Sequence, residues 1–285
     1  MQTRRLTPVI GVEITGIDLS APIPDPTFAA IREAWLHHKV AVFPGQRLTE
    51  DGLMRFGQRF GELEIHVRST YHSRHHPEVM IVSNKKENGR AIGVLGDGEA
   101  VWHIDQSYMP RPTFGTILFG EEIPPQGGDT WFADLATAYD RLPASLQTKI
   151  EGKRGVNSVD RHNKRDAAGR PDLAMTAGQL KRAPDSPHPL VRRHPLLGSR
   201  AIYYSPSHTA EIEGLSDQAS QALFHELLPY MTQPELIYKH HWSVGDVVMW
   251  DNTATMHRRD PFPGHYSRLL KRVSFRYPPE HRVPV

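Results

Sequence analysis

Val101-Trp102-His103-Ile104-Asp105-Gln106-Ser107-Tyr108 carries two side chains able to ligate a metal, His103 and Asp105, with one residue between them. Val101 and Ile104 are β-branched, and Gly96, Asp97 and Gly98 form a turn upstream, so the stretch reads as the end of a β-strand. Side chains alternate between the faces of a strand, which sends His103 and Asp105 to one side and Ile104 to the other. An imidazole nitrogen and a carboxylate oxygen then converge on one point. An H-x-D pair is common by chance, so a third ligand, a cosubstrate site and a pocket must come from elsewhere in the chain.

Short apolar runs bounded by turns extend in both directions. Upstream, residues 8–20 alternate apolar and polar between glycines, Val40–Phe43 is a buried strand closed by Pro44-Gly45, and Val79–Ser83 is another. Downstream come Thr113–Phe119, a polar loop Glu121–Asp129, and Thr130–Phe132 before a helix that opens at Asp134. Strands are further expected at Pro189–Arg193 and Ala201–Ser205, either side of a Pro-Leu-Leu-Gly turn, at Gly245–Trp250 and at Arg268–Tyr277. Besides the helix at Asp134, helical spacing marks Pro24–His38, capped by Asp25 or Thr27 with Phe28, Ile31, Ala34 and Trp35 inward; a helix capped at Thr49-Glu50-Asp51 that ends at Gly61; and Asp217–Met231. The pattern predicts a mainly β fold with helical decoration, a cupin-like jelly roll of two facing sheets rather than a βαβ sheet. No G-x-G-x-x-G or P-loop is present. One domain over residues 1–285 is expected, with a lid-like loop at about 64–100 and a surface insertion at about 151–187.

Composition narrows the chemistry. The 285 residues include 34 basic and 32 acidic side chains, giving a net charge of +2. No basic block stands out, which argues against nucleic-acid or membrane-surface binding. The chain has no cysteine, so a thiolate zinc site and a cysteine nucleophile are excluded and any metal is held by nitrogen and oxygen. No apolar window is long enough for a membrane span, and the first residues lack a secretory apolar core, so a cytoplasmic location is expected.

The candidate third ligand is His257, in Trp250-Asp251-Asn252-Thr253-Ala254-Thr255-Met256-His257, expected just beyond a strand as it enters a loop. Two histidines and one carboxylate form the facial triad of non-haem Fe(II) oxygenases, which leaves three coordination positions open. Beyond it, Arg268 and Arg272 share one face of a strand through their even spacing. An inward-facing arginine is costly unless its planar fork meets an anion.

His103-x-Asp105, Gly127-Gly128-Asp129-Thr130 and Trp250-Asp251-Asn252 with His257, Arg268 and Arg272 together resemble the taurine/2,4-dichlorophenoxyacetate dioxygenase family. The likeness also covers Gly11 to Ser20, Val42 to Gln46, Arg59 to Leu63 and His188 to Pro195. It implies a double-stranded β-helix, Fe(II) as metal, and 2-oxoglutarate and O2 as cosubstrates. By the resemblance, His103, Asp105 and His257 hold iron, while Thr130 and Arg268 hold the distal carboxylate of 2-oxoglutarate. Arg272 grips a substrate anion; His66 and His208 occupy substrate-contacting positions, and Tyr108 is a further lining candidate.

The implied reaction couples oxidative decarboxylation of 2-oxoglutarate, giving succinate and CO2, to hydroxylation of an unactivated C–H. The carboxylate of Asp105 favours hydroxylation over halogenation. Glu99 and Ser69 depart from the taurine enzyme's pattern, and His208 is more similar to the aryloxyalkanoate branch, so the expected substrate is a small carboxylate, sulfonate or sulfate ester. The family suggests a dimer or tetramer. Three other readings stay open: a biosynthetic hydroxylase or desaturase on the same scaffold, a catalytically silent jelly-roll protein, and a zinc hydrolase using the same ligands.

Overall fold

The computed structural model describes residues 1–94, 96–161 and 175–278. Its strands in the first half are β1 (Gln2–Arg5), β2 (Val12–Thr15), β3 (Val40–Phe43), β4 (Met80–Ser83), β5 (Lys86–Glu87), β6 (Arg90–Ala91), β7 (Ala100–His103), β8 (Gly115–Glu122) and β9 (Thr130–Asp134). The second half adds β10 (Arg154–Asn157), β11 (Ser186–Pro189), β12 (Val191–Arg193), β13 (Arg200–Ile202), β14 (Thr209–Ile212), β15 (Ile237–His240), β16 (Val247–Asp251), β17 (Thr255–Arg259) and β18 (Leu269–Phe275). Seven strands form a large sheet in the order β1-β2-β3-β16-β8-β18-β4, and four form a smaller one, β15-β9-β17-β7. Both are antiparallel apart from the β2–β3 pair.

The period of two along each strand sorts the cores. On β16, Val247 and Met249 face a cluster built from the helices α1 (Asp25–His38) and α2 (Glu50–Gln58), with Trp35, Phe56 and Phe60 packed on Phe275 and Ile117. The alternate residues Val248 and Trp250 face the smaller sheet and pack with Phe132 of β9 and Leu118 of β8. Beyond the smaller sheet, Ala133 and Met256 pack on the helices α3 (Leu135–Asp140) and Asp217–Met231. The layers are therefore helix, large sheet, small sheet, helix, with an apolar seam between the sheets. Among the described residues no helix is long and apolar enough to cross a membrane.

Several boundaries differ from expectation for physical reasons. α1 is preceded by Pro24, and no side chain caps it; a proline at its first turn presets φ, so the expected Asp25 or Thr27 cap is not used. α2 is capped as expected, Thr49 accepting from the Gly52 amide, but stops at Gln58 rather than Gly61. β8 runs on to Glu122 because its ladder with β18 continues to a register shift at Leu269/Leu270.

The segment 151–187, expected as a surface insertion, is built into a sheet at both ends. β10 pairs with β11 and β14, and Asn157 and Ser158 are buried. Residues 162–174 of it lie outside the described residues. The 64–100 segment contributes β4 to the large sheet and a β5–β6 hairpin, so it is a loop only in part.

Candidate active site

β7 and β17 are neighbours in the small sheet, and their register places His257 opposite His103. The sequence expectation put His257 past a strand; it stands inside β17 and projects into the seam, with its ring 4.7 Å from that of Trp250. β7 ends at His103, so Asp105 is not a strand residue as expected. It belongs to the turn that follows, where Gln106 takes a left-handed φ of 47°. The turn still delivers the carboxylate: ligand atoms of His103, Asp105 and His257 all lie within 4.8 Å of one another. Nε2 of His103 is 3.9 Å, and Nε2 of His257 is 4.0 Å, from Asp105 Oδ1.

The protonation pattern suits a metal. His103 Nδ1 donates to the Val101 carbonyl at 2.7 Å, which leaves Nε2 with its lone pair. Burial, reinforced by His103, pushes the pKa of His257 down to about 3, so its ring is neutral. Burial opposes ionisation of Asp105, but the charge of Arg272 and the hydrogen bond from Thr116 outweigh it and hold the carboxyl well below the usual range. Two neutral nitrogens and one anionic oxygen on one side of a point are the donor set of a facial triad, and these residues fit a divalent metal.

Sequence reasoning missed the residues that orient Asp105. Its Oδ2 accepts from Thr116 Oγ1 of β8 at 2.8 Å, and its amide donates to Asn252 Oδ1 at 3.3 Å. Asn252 Nδ2 donates to the same Thr116 hydroxyl at 3.0 Å. The only sequence signal was that Asn252 belongs to the Trp250-Asp251-Asn252 motif. Next to it, Asp251 accepts from Nε2 of the buried His194 at 2.9 Å.

Arg268, just before β18, is 2% exposed, and among the described residues no carboxylate forms an ion pair with it. Its Nη2 donates to the Gly128 carbonyl at 3.3 Å, while its buried Nε has no hydrogen-bond partner among the described residues. Burial, with the nearby charge of Arg259, pushes the guanidinium down to about 9. Gly128 has φ 72°, and a Cβ there would sit 3.2 Å from Arg268 Nε, so the Gly127-Gly128 pair makes room for the arginine. Thr130 accepts from Trp242 Nε1 at 3.0 Å. Indole nitrogen is a donor only, so the threonine's own proton is left to donate. A buried cation and a hydroxyl donor, each short of an acceptor, fit the distal carboxylate of a keto-diacid.

A cavity of about 290 Å³ opens beside the metal ligands; His103, Asp105, Arg272, His66, Tyr108 and His208 are in its wall. Thr130 and Arg268 are not among its lining residues. Arg272 Nη1 contacts Asp105 Oδ1 at 3.1 Å. His66 Nδ1 accepts from the Arg68 amide, so Nε2 carries the proton and donates to Tyr108 Oη at 3.3 Å. The phenol proton remains available, and burial pushes the Tyr108 pKa up to about 12. The edge of the His208 ring meets Tyr108, centroids 4.9 Å apart. Glu99, also in the wall, pairs with Arg258 at 3.6 Å, so its charge is partly answered.

His188 braces the chain after Asp105, its Nε2–H donating to the Met109 carbonyl at 3.0 Å. Burial, with the Arg192 charge, pushes its pKa down to about 4. The unfolded chain takes up this proton below about pH 6.5, and the native state does so only near pH 4. Stability is therefore full above that window and falls by up to about 3 kcal/mol as pH drops through it. Urea midpoints between pH 7 and 4.5 should fall less steeply for His188→Asn; an equal slope would mean another group carries the dependence.

Residues 2–274 match the family described as "Taurine catabolism dioxygenase TauD, TfdA family". Pentalenolactone F synthase of Streptomyces avermitilis is 34% identical over 277 residues, covering 93% of this chain and 90% of that protein. The alpha-ketoglutarate-dependent 2,4-dichlorophenoxyacetate dioxygenase of Cupriavidus pinatubonensis is 32% identical, covering 94% and 95%. The crystal structure of AAD-2 in complex with Mn(II) and N-oxalylglycine superposes with a TM-score of 0.81 at 28% identity, covering 97% of each chain. With this likeness along nearly its whole length and a His-Asp-His site in the seam, the chain belongs to the taurine catabolism dioxygenase TauD, TfdA family and is a 2-oxoglutarate-dependent dioxygenase.

Proposed function

We propose that the protein is an Fe(II) enzyme that hydroxylates an unactivated C–H bond of a small organic anion, on a single domain whose two sheets are the faces of a double-stranded β-helix. The observation that carries this reading is the buried Arg268, without an ion-pair partner among the described residues, together with Arg272 in the wall of the cavity that the metal ligands also line. His103, Asp105 and His257 would hold the iron, and Thr130 and Arg268 the distal carboxylate of 2-oxoglutarate. With O2, iron and 2-oxoglutarate held there would supply the oxidant, one oxygen atom entering succinate as CO2 is released and the other entering the substrate.

The chain's own residues do the positioning. Arg272 spends one N–H on Asp105, and its other donors are available to a substrate carboxylate, sulfonate or sulfate, which fixes the anion a short way from the metal. Tyr108 offers its hydroxyl proton to the same anion, and His208 packs against Tyr108 so that the phenol keeps its place. Met80 and Val94 give the cavity an apolar wall for the rest of the substrate. Lining residues His66, Arg68, Met80, Val94 and Glu99 all come from the 64–100 segment, consistent with its acting as a lid.

A second reading, a biosynthetic hydroxylase of a metabolite, is favoured by the 34% identity to pentalenolactone F synthase. Oxygen uptake and succinate release, measured over a panel of aryloxyalkanoates, alkyl sulfates, sulfonates and biosynthetic acids, separate the two. One class should yield succinate and hydroxylated or cleaved product in equal amounts, only with O2. Product released without O2 would contradict both and favour a zinc hydrolase.

A further inference from the structure

Every donor and acceptor around Asp105 Oδ2 can be assigned from the chemistry of its neighbours. Trp250 Nε1 contacts Asn252 Oδ1 at 3.1 Å, and the Asp105 amide contacts the same atom at 3.3 Å. Both partners are donors only, so that atom is the amide oxygen and the Asn252 NH2 faces Thr116. Nδ2 then donates to Thr116 Oγ1, and the single threonine proton is committed to Asp105 Oδ2 at 2.8 Å. Ser274 Oγ, 3.4 Å from Thr116 Oγ1, has room to donate to the same oxygen. Thr116 and Asn252 are fully buried, at 0% exposure, and Trp250 at 2%.

The chain Trp250, Asn252, Thr116 therefore occupies one carboxylate oxygen and leaves the other, Oδ1, which Arg272 Nη1 also contacts at 3.1 Å, to face both histidine nitrogens. We infer that Thr116 and Asn252 are positioning residues that hold Asp105 to one-oxygen coordination of the metal. The consequence is arithmetic. Three one-atom ligands on a six-coordinate metal leave three positions, two for a chelating keto acid and one for O2. A carboxylate free to rotate and bind through both oxygens would consume one of them. The inference rests on the proposed metal site and says how that site is kept open.

The probe is Mn(II) alone, with affinity read by titration and coordinated water counted from the line broadening of its electron paramagnetic resonance spectrum in 17O-water. The wild-type protein should hold Mn(II) with three waters. Thr116→Val, of the same shape without the hydroxyl, and Thr116→Ala, which cannot overpack, should each hold it with two waters. Their affinity should be reduced about 10- to 100-fold, the usual effect of losing an outer hydrogen-bond partner. Thr116→Ser should restore three waters. Wild-type affinity and three waters in either variant that folds would overturn the inference. Absence of Mn(II) binding by the wild-type protein would instead overturn the metal-site reading beneath it.

Discussion

Asp105→Ala is expected to abolish Fe(II) binding and to lower turnover roughly a thousandfold or more, a loss of about 4 kcal/mol in transition-state stabilisation. Asp105 is the one anionic member of the triad. Without it the centre keeps two neutral imidazoles beside the Arg272 guanidinium, which repels a cation. His257→Ala should have a similar effect by removing a ligand that a neighbouring strand holds in fixed register with His103. Arg272 also loses its carboxylate partner in Asp105→Ala, and stripping one member from a buried pair commonly costs about 3–5 kcal/mol of stability. Asp105→Asn keeps the shape and is the better-folded comparison. Metal binding by calorimetry, with circular dichroism to confirm folding, checks the result; full activity in either ligand variant would remove the triad from the mechanism.

The second large effect is at Arg268. Arg268→Met, of similar volume, should raise the 2-oxoglutarate concentration needed for half-maximal binding by about 10- to 150-fold, the worth of a charge-assisted contact of roughly 1.5–3 kcal/mol. The same variant should lose no thermal stability without ligands, and should gain some. A buried cation with no ion-pair partner among the described residues is a cost to the empty fold, and an apolar side chain of the same size relieves it. Opposite movements of cosubstrate binding and stability would mark a residue kept for a ligand. A fall in stability with unchanged 2-oxoglutarate binding would give Arg268 a packing role.

Much of this was legible in the sequence because the signals were periodic. The unbroken apolar run of β16 and the helical spacing of Phe28, Ile31 and Trp35 report burial directly, and the layers follow from it. The pairing of His103 with Asp105 was found by strand alternation, although the strand ends at His103 and the turn at Gln106 completes the approach. His257 was expected in a loop because Asp251-Asn252-Thr253 looks like a long break. Asp251 closes that turn in three residues by accepting from the Thr253 amide and, through its carbonyl, from the Thr255 hydroxyl, so β17 begins at Thr255.

Polarity hid β10. Its buried positions are Gly155 and Asn157, and a side chain at Gly155 would collide with Thr209 and Leu190, 2.8 and 2.9 Å from its Cβ. Thr116 escaped notice for a different reason. A single threonine in an apolar strand has no spacing to betray it, and only the fold shows that its hydroxyl meets Asp105.

The central claim is that one seam holds both a metal and a keto-diacid, and anaerobic titration of the protein with Fe(II) and 2-oxoglutarate tests it most directly. A weak visible charge-transfer band should appear only when both are present, shift when a substrate anion enters the cavity, and require more 2-oxoglutarate in Arg268→Met. Iron binding with no band at any 2-oxoglutarate concentration would contradict the cosubstrate role of Thr130 and Arg268 and return the site to hydrolytic or binding chemistry.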